Sequence, residues 1–230
     1  MKKIGLVGGT GPESTLMYYK ELNNRIDALT HGKHMPDLVI ESVDFPRTWE
    51  YVITAQYDKL TDYLAEKVNC LVKSGAEVVS LTAATMHIVY DEVVSKTGAE
   101  LVSIPKAVAE EAASQGIMKV GLLGTIFTME QDYMKKDLLH AGIQVFIPEK
   151  QDRELIAKRI YEELERGIVK ESTLNEFLAI IERMRSDHGI EAIILGCTEL
   201  PLLLNPDNCP LICLDAVEIH LKKLIELACN

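Results

Sequence analysis

Long apolar runs are missing from the sequence. Its longest stretch without Asp, Glu, Lys or Arg is the 13 residues Val78–Tyr90, too short for a bilayer-spanning helix, which needs about 20. Cysteine is sparse and unpaired in pattern: Cys70, Cys197, Cys209, Cys213 and Cys229 form an odd set with no C-x-x-C spacing. In a chain of 230 residues, large enough to fold on its own core, reduced thiols are expected rather than a disulfide framework. Cys209 and Cys213 are the only close pair and have no second ligand cluster, so no metal site is expected. Positive charge is also short, with 24 Lys and Arg against 35 Asp and Glu, a net charge of −11. Such a surface repels phosphate backbones and anionic lipid, which argues against nucleic acid and membrane as partners but leaves room for a local anion pocket. No Lys-Ser/Thr follows the glycines as in a P-loop, and G-x-G-x-x-G is absent, which argues against a nucleotide-dependent oxidoreductase. After Met1-Lys2-Lys3 the apolar run breaks at Gly8-Gly9 without reaching a small-residue cleavage site. The segment therefore reads as a strand and turn of a cytoplasmic protein, not as a signal peptide.

What is present is an ordinary globular composition, 47% hydrophobic and 26% charged, consistent with one large domain or two small ones. Short Val/Ile/Leu-rich runs alternate with longer amphipathic segments, the pattern of βα units on a buried parallel sheet. Strands are expected at Lys3–Val7, Leu38–Ser42, Val78–Leu81, Leu101–Val102, Val120–Leu123, Gln144–Ile147, Ala192–Leu195 and Leu211–Cys213. Helices are expected at 13–30, 57–74, 86–95, 105–115, 129–141, 151–166, 171–188 and 216–228. Asp215 can cap the last helix, Gly75 and Gly142 can end helices, and Pro105 suits a first helical turn. The fold class is α/β.

An internal repeat divides the chain. Ile4-Gly-Leu-Val-Gly8 matches Val120-Gly-Leu-Leu-Gly124 at an offset of 116, and Glu77-Val-Val-Ser-Leu-Thr-Ala-Ala84 lies against Glu191-Ala-Ile-Ile-Leu-Gly-Cys-Thr198 at an offset of 114. Two pseudo-symmetric domains are expected, each a parallel sheet flanked by helices: 1–103 with 212–230, and 104–211. Ligands of such sheets bind outside the carboxyl ends of the strands, so the site is expected in the cleft between the two.

Three turns carry candidate chemistry. Gly8-Gly9-Thr10-Gly11-Pro12-Glu13-Ser14-Thr15 follows a strand and opens a helix, where backbone N–H groups can receive an anion. Gly124-Thr125-Ile126-Phe127-Thr128 offers hydroxyls at the equivalent place in the second half. Gly196-Cys197-Thr198-Glu199-Leu200-Pro201 puts a thiol at a strand's carboxyl end, where amides of a following helix start would lower its pKa toward a thiolate able to move a proton. In the first half Thr82-Ala83-Ala84-Thr85-Met86-His87 occupies the matching place, and His87 could line the cleft or simply pack. Arg47, in an apparent loop after Asp44-Phe45-Pro46, could pair a distal carboxylate or be a solvated surface residue.

These residues resemble the cofactor-independent aspartate/glutamate racemase family. The likeness is carried by Gly8–Thr15, Thr85-Met86-His87, Gly124-Thr125 with Thr128-Met129-Glu130, Gly196-Cys197-Thr198-Glu199-Leu200, Glu162-Glu163-Leu164 and Asp215-Ala-Val-Glu218-Ile-His220. It implies no cofactor and no metal, a homodimer, and a small dicarboxylic amino acid as substrate. It also implies two acid/base groups on opposite faces of the α-carbon, usually both cysteines. The second falls on Cys197; the first falls on Ala83, with Ala84 where an asparagine is usual, and the repeat offset reaches Ala83 from Cys197 independently. Substrate contacts are expected from Gly9, Thr10, Ala83, Ala84, Thr85, Thr125, Thr128, Thr198 and Glu199. Arg47, Thr82 and His87 are further candidates, and Thr82, Thr85, His87 or an ordered water is left to replace the missing thiol. The alternatives are a single-cysteine decarboxylase or isomerase of the same superfamily and a non-catalytic dicarboxylate-binding homologue.

Overall fold

The computed structural model describes all residues, Met1–Asn230. They form two compact units, Met1–Ser103 with His220–Asn230, and Ile104–Ile219. In the first unit, β1 (Ile4–Gly8), β2 (Leu38–Ser42), β3 (Val78–Leu81) and β4 (Leu101–Val102) make a sheet of order β2-β1-β3-β4. In the second, β5 (Lys119–Leu123), β6 (Gln144–Phe146), β7 (Ala192–Leu195) and β8 (Ile212–Asp215) repeat that order as β6-β5-β7-β8. All six pairings are parallel. Parallel sheets need cover on both faces, and the central strands β1, β3 and β7 are buried along their whole length.

The cover comes from helices. In the first unit these are α1 (Pro12–Leu29), α2 (Phe45–Ile53), α3 (Tyr57–Lys73) and α4 (Tyr90–Thr97). The second contains α5 (Ile104–Ser114), α6 (Ile126–Glu130), α7 (Lys136–His140), α8 (Lys150–Glu162) and α9 (Glu171–His188). The last helix, α10 (Ala216–Cys229), crosses the division between units. Spacing of three and four residues sets which face each helix buries: Tyr18, Leu22 and Ile26 on α1, and Leu60, Leu64, Val68 and Leu71 on α3. A second core gathers Leu123, Ile156, Ile160, Phe177, Ile181 and Ile193. The strand glycines of the repeat serve close packing in both copies. A Cβ on Gly5 would lie 2.7 Å from Ala76 Cβ, and one on Gly121 would lie 2.6 Å from Ile193 Cδ1.

Three expectations are corrected. The stretch around Arg47 is helix α2, not a loop: the Asp44 side chain accepts from the Arg47 amide and Pro46 sits in the first turn, both helix-starting features. The single helix expected at 129–141 is two short ones, because Gln131 turns extended (φ −76°, ψ 163°) and ends α6. The chain re-enters the first unit at His220 rather than at 212, since β8 pairs with β7 from Ala192↔Ile212 to Leu195↔Asp215 and so belongs to the second sheet. Asp215 does cap α10, accepting from the amides of Val217 and Glu218 at 2.9 and 3.1 Å. No helix is long and apolar enough to cross a membrane.

Candidate active site

The duplicated strands share one register. Ile4↔Val78 through Val7↔Leu81 in the first unit corresponds residue for residue to Val120↔Ala192 through Leu123↔Leu195 in the second. The correspondence continues past the strand ends, where the Thr82 amide donates to the Val7 carbonyl at 3.0 Å and the Gly196 amide donates to the Leu123 carbonyl at 2.9 Å. The residue after each of these is Ala83 in one unit and Cys197 in the other. Backbone hydrogen bonding thus puts the alanine and the thiol at equivalent places on equivalent sheets.

Cys197 is half-buried against the second core, and its Sγ–H donates to Glu199 Oε2 at 2.8 Å. Burial first, then the negative charge of Glu199 and this hydrogen bond, raise the thiol pKa well above its ordinary value. The expected lowering by backbone amides is therefore corrected. The Glu199 amide does pull the pKa down, but desolvation and the carboxylate outweigh it. At neutral pH Cys197 is a thiol holding its proton, with a carboxylate placed to accept it. A second carboxylate, Glu165, has its own pKa raised by burial and by Glu199. It sits in the 3₁₀ turn Leu164–Arg166, anchored by the neighbouring Glu163. That buried carboxylate accepts from Thr173 Oγ1 at 2.5 Å, Lys170 Nζ at 3.0 Å and Arg159 at 2.8 Å, and these contacts hold its pKa near 2. Sequence reasoning noticed Glu162-Glu163-Leu164 only as a family likeness and missed Glu165, whose approach to Glu199 depends on tertiary packing.

In the first unit Ala83 is half-buried with extended backbone (φ −121°, ψ 128°) and begins the 3₁₀ segment Ala84–Val89. Thr82 is buried, and its hydroxyl donates to the Val7 carbonyl at 3.2 Å. His87 is buried too, stacks on Tyr90, and has Nδ1 3.2 Å from the Ala83 carbonyl oxygen. Burial lowers its pKa to about 4, so it is neutral and braces the turn. Ala84 and Thr85 are half-buried beside it. Arg47 is exposed on α2, its guanidinium 4.4 Å over the Tyr63 ring and its Nε donating to Tyr51 Oη at 2.9 Å.

The glycine turns are tighter than the sequence suggests. In the first, Gly9 and Gly11 adopt φ of 87° and 77°, the left-handed region that glycine enters without strain. The Gly9 amide donates to Thr15 Oγ1 at 2.8 Å and Pro12 has no N–H, so fewer amides remain for an anion; Thr10 is half-buried in this turn. In the second turn Thr125 caps α6 by accepting from the Thr128 amide at 3.2 Å. Thr128 is buried, its hydroxyl within 3.0 Å of Thr125 Oγ1 and 3.1 Å of Tyr133 Oη. Its methyl fills the space that Gly124 and Gly196 leave open, since a Cβ on either would meet it at 2.7 Å. Thr128 thus braces the strand ends beside Cys197, while Thr198 is half-buried next to the thiol. Thr15, which closes the first turn, was part of the glycine motif read from the sequence but without this role, and Tyr133, which completes the second, was not anticipated.

Solved structures share this fold. A Yersinia pestis protein described as a candidate Asp/Glu racemase is 34% identical over 100% of both chains, with a TM-score of 0.95. An aspartate racemase homologue from Pyrococcus horikoshii is 38% identical, again over 100% of both chains, with a TM-score of 0.90. Picrophilus torridus aspartate racemase shares the fold at 22% identity and a TM-score of 0.75, covering 98% of this chain and 94% of its own. With residues 7–224 matching the Asp/Glu/hydantoin racemase family from the first strand into the last helix, the chain belongs to that family.

Proposed function

We propose that the protein is a cofactor-independent amino-acid racemase acting on Asp, Glu or a similar acidic amino acid, with Cys197 exchanging a proton at the substrate α-carbon. The observation that carries this reading is the Cys197 thiol at the carboxyl end of β7, half-buried and hydrogen-bonded to the Glu199 carboxylate. A protonated thiol can deliver a proton to a carbanion directly. In the reverse sense Glu199 takes the thiol proton and the resulting thiolate removes the α-proton. The substrate class rests on the family and on the Asp/Glu racemase and aspartate racemase homologue descriptions of two relatives above 30% identity. Gly9, Thr10, Ala83, Ala84, Thr85, Thr125, Thr128, Thr198 and Glu199 are the proposed substrate surround, and the enzyme would work as a cytoplasmic homodimer.

Position 83 offers no proton carrier. Of the candidate replacements, Thr82 already donates its hydroxyl to Val7 and His87 is buried and neutral, which leaves the half-buried Thr85 hydroxyl or an ordered water. Loss of one acid/base group typically costs about 10²–10⁴-fold, so inversion should be slow compared with proton exchange at the Cys197 face. Ala83 also favours a second reading, a decarboxylase, because one proton donor suffices once carbon dioxide has left. Each enantiomer of Asp and Glu incubated in D₂O, with the α-proton followed by NMR, tests the first reading. Exchange that disappears in Cys197→Ala supports it. Absence of exchange for all four, together with carbon dioxide release from a disubstituted malonate, replaces it with the second.

A further inference from the structure

Two backbone contacts set Arg47 beside the proposed substrate surround of the first unit. The Val43 amide donates to the Gly8 carbonyl oxygen at 2.9 Å, and a Cβ on Gly9 would come within 2.8 Å of Val43 N. The Gly9 turn therefore packs directly on the link between β2 and α2. Arg47 follows four residues after Val43, in the first turn of α2.

Two half-buried tyrosines hold its guanidinium. Tyr51, one turn later on α2, accepts from Arg47 Nε at 2.9 Å. Tyr63, on α3, lies with its ring centroid 4.4 Å from Arg47 Cζ, a cation–π distance. The Tyr63 ring is itself fixed to the start of α2, because its Oη accepts from the Asp44 amide at 3.0 Å. The acidic neighbours do not neutralise the guanidinium by bonding to it. Asp44 Oδ1 takes the Arg47 backbone amide at 3.4 Å, and Glu41 Oε2 takes Lys67 Nζ at 3.2 Å. Neither Nη of Arg47 makes a hydrogen bond within the chain. One face and the Nε edge are thus occupied, and the edge that remains is the one between Nη1 and Nη2.

We propose that Tyr51 and Tyr63 are positioning residues that fix Arg47 so that only its Nη1–Nη2 edge is presented, end-on, to the side-chain carboxylate of the substrate. The proposal rests on the racemase reading and its acidic substrate. Two parallel N–H···O bonds from that edge match the two oxygens of a carboxylate, a fit that lysine cannot reproduce. The side-on approach through Nε is closed by Tyr51. A long exposed side chain ordinarily gives up rotamer freedom when it binds. Here the ring and the hydroxyl have already restricted it, so less is lost on binding and the grip is tighter. The tyrosines act on affinity through Arg47 and take no part in proton transfer at the α-carbon.

The test separates KM from kcat for α-proton exchange of aspartate or glutamate in D₂O, using whichever exchanges faster. In Tyr63→Leu KM should rise about 3–10-fold with kcat nearly unmoved, the size of a lost cation–π contact. Tyr63→Phe keeps the ring and should restore KM to near the wild-type value. Tyr51→Phe, which removes the acceptor of Nε–H, should also raise KM, by about 2–10-fold, and carries the test on its own should Tyr63→Leu fail to fold. An unchanged KM, an equal rise in Tyr63→Phe and Tyr63→Leu, or a fall in kcat at constant KM would overturn the positioning role and leave the racemase reading standing. Absence of exchange in the wild type would reject that reading instead, and succinate then decides the positioning role. The Arg47 Nε–H NMR signal, identified by its loss in Arg47→Lys, should shift as succinate is added, with a midpoint about 3–10-fold higher in Tyr63→Leu. No shift, or the same midpoint in both proteins, would overturn it.

Discussion

Replacing Ala83 by cysteine tests the proposed chemistry most directly. The position tolerates it: Ala83 is half-buried with an ordinary extended backbone, so a cysteine there meets no left-handed strain. Its place just beyond β3 is the place of Cys197 just beyond β7, fixed by the same register and the same strand-end amide bond. If the wild type has one thiol acting at the α-carbon, the enantiomer whose proton faces Cys197 exchanges with solvent faster than it inverts. A second thiol adds a general acid/base group, an effect of about 10²–10⁴-fold or roughly 3–5 kcal/mol of barrier. Inversion in Ala83→Cys should rise by that factor while exchange at the Cys197 face stays within a few-fold of wild type. The assay follows α-deuteration by NMR and inversion by chiral chromatography on the same D₂O incubation. An inversion rate within about threefold of wild type, in a variant that keeps full exchange at Cys197, would refute the assignment of position 83 to the opposite face.

Three other outcomes follow from the geometry. Glu199→Gln removes the carboxylate that raises the Cys197 pKa, so the pH at which Cys197 is alkylated by iodoacetamide should move down, even as proton exchange slows. An unchanged alkylation profile would show that burial alone sets the thiol. Gly196→Ala places a Cβ 2.7 Å from the Thr128 methyl and 3.0 Å from the Leu123 carbonyl oxygen, and overpacking of this kind costs about 1–3 kcal/mol. Calorimetry should show a lower melting temperature, partly restored by Thr128→Ser, which removes the methyl. Glu163 has a folded-state pKa near 2, below its unfolded value, so its contribution to stability is complete above about pH 4.5 and is lost as pH falls toward 2. Urea titrations should show a shallower acid limb for Glu163→Gln than for wild type.

Much of the scaffold was legible because it is written in local chemistry. Val/Ile/Leu runs of four or five residues become the central strands, and glycines in register mark the duplicated ones. Helix α2 was hidden for an equally local reason. Its large apolar residues Phe45, Trp49 and Ile53 follow helical spacing but point outward, while the inward face is only Thr48 and Val52; Pro46, which opens the helix, looks like a loop residue. The placement of β8 was missed because three apolar residues at 211–213 state that a strand exists and not which sheet takes it. The thiol was found and its ionisation misjudged. The amides that would lower its pKa are visible in the sequence as a turn, whereas burial and the turn of Glu199 onto sulfur arise only on folding.

Comparing the two copies shows where the duplication has remained fixed and where it has diverged. Inside the sheets, register, strand order and the glycines that admit close packing are retained. At the first residues beyond β3 and β7 the side chains part: Thr82 against Gly196, then Ala83 against Cys197. The first pair differs in how space is filled, since Thr82 ties its own hydroxyl to Val7, whereas at Gly196 the Thr128 methyl occupies the volume a side chain would need. The second pair differs in chemistry, a methyl against a thiol held by a carboxylate. Parallel strands buried on both faces penalise change within the sheet. Beyond the last ladder bonds a side chain can differ, as Ala83 and Cys197 do, while the pairing beneath it is the same. Under the proposed function, asymmetry in proton transfer can therefore arise on a symmetric frame at one position. That is why a single residue, 83, is expected to change the ratio of inversion to exchange while the unfolding transition stays where it is.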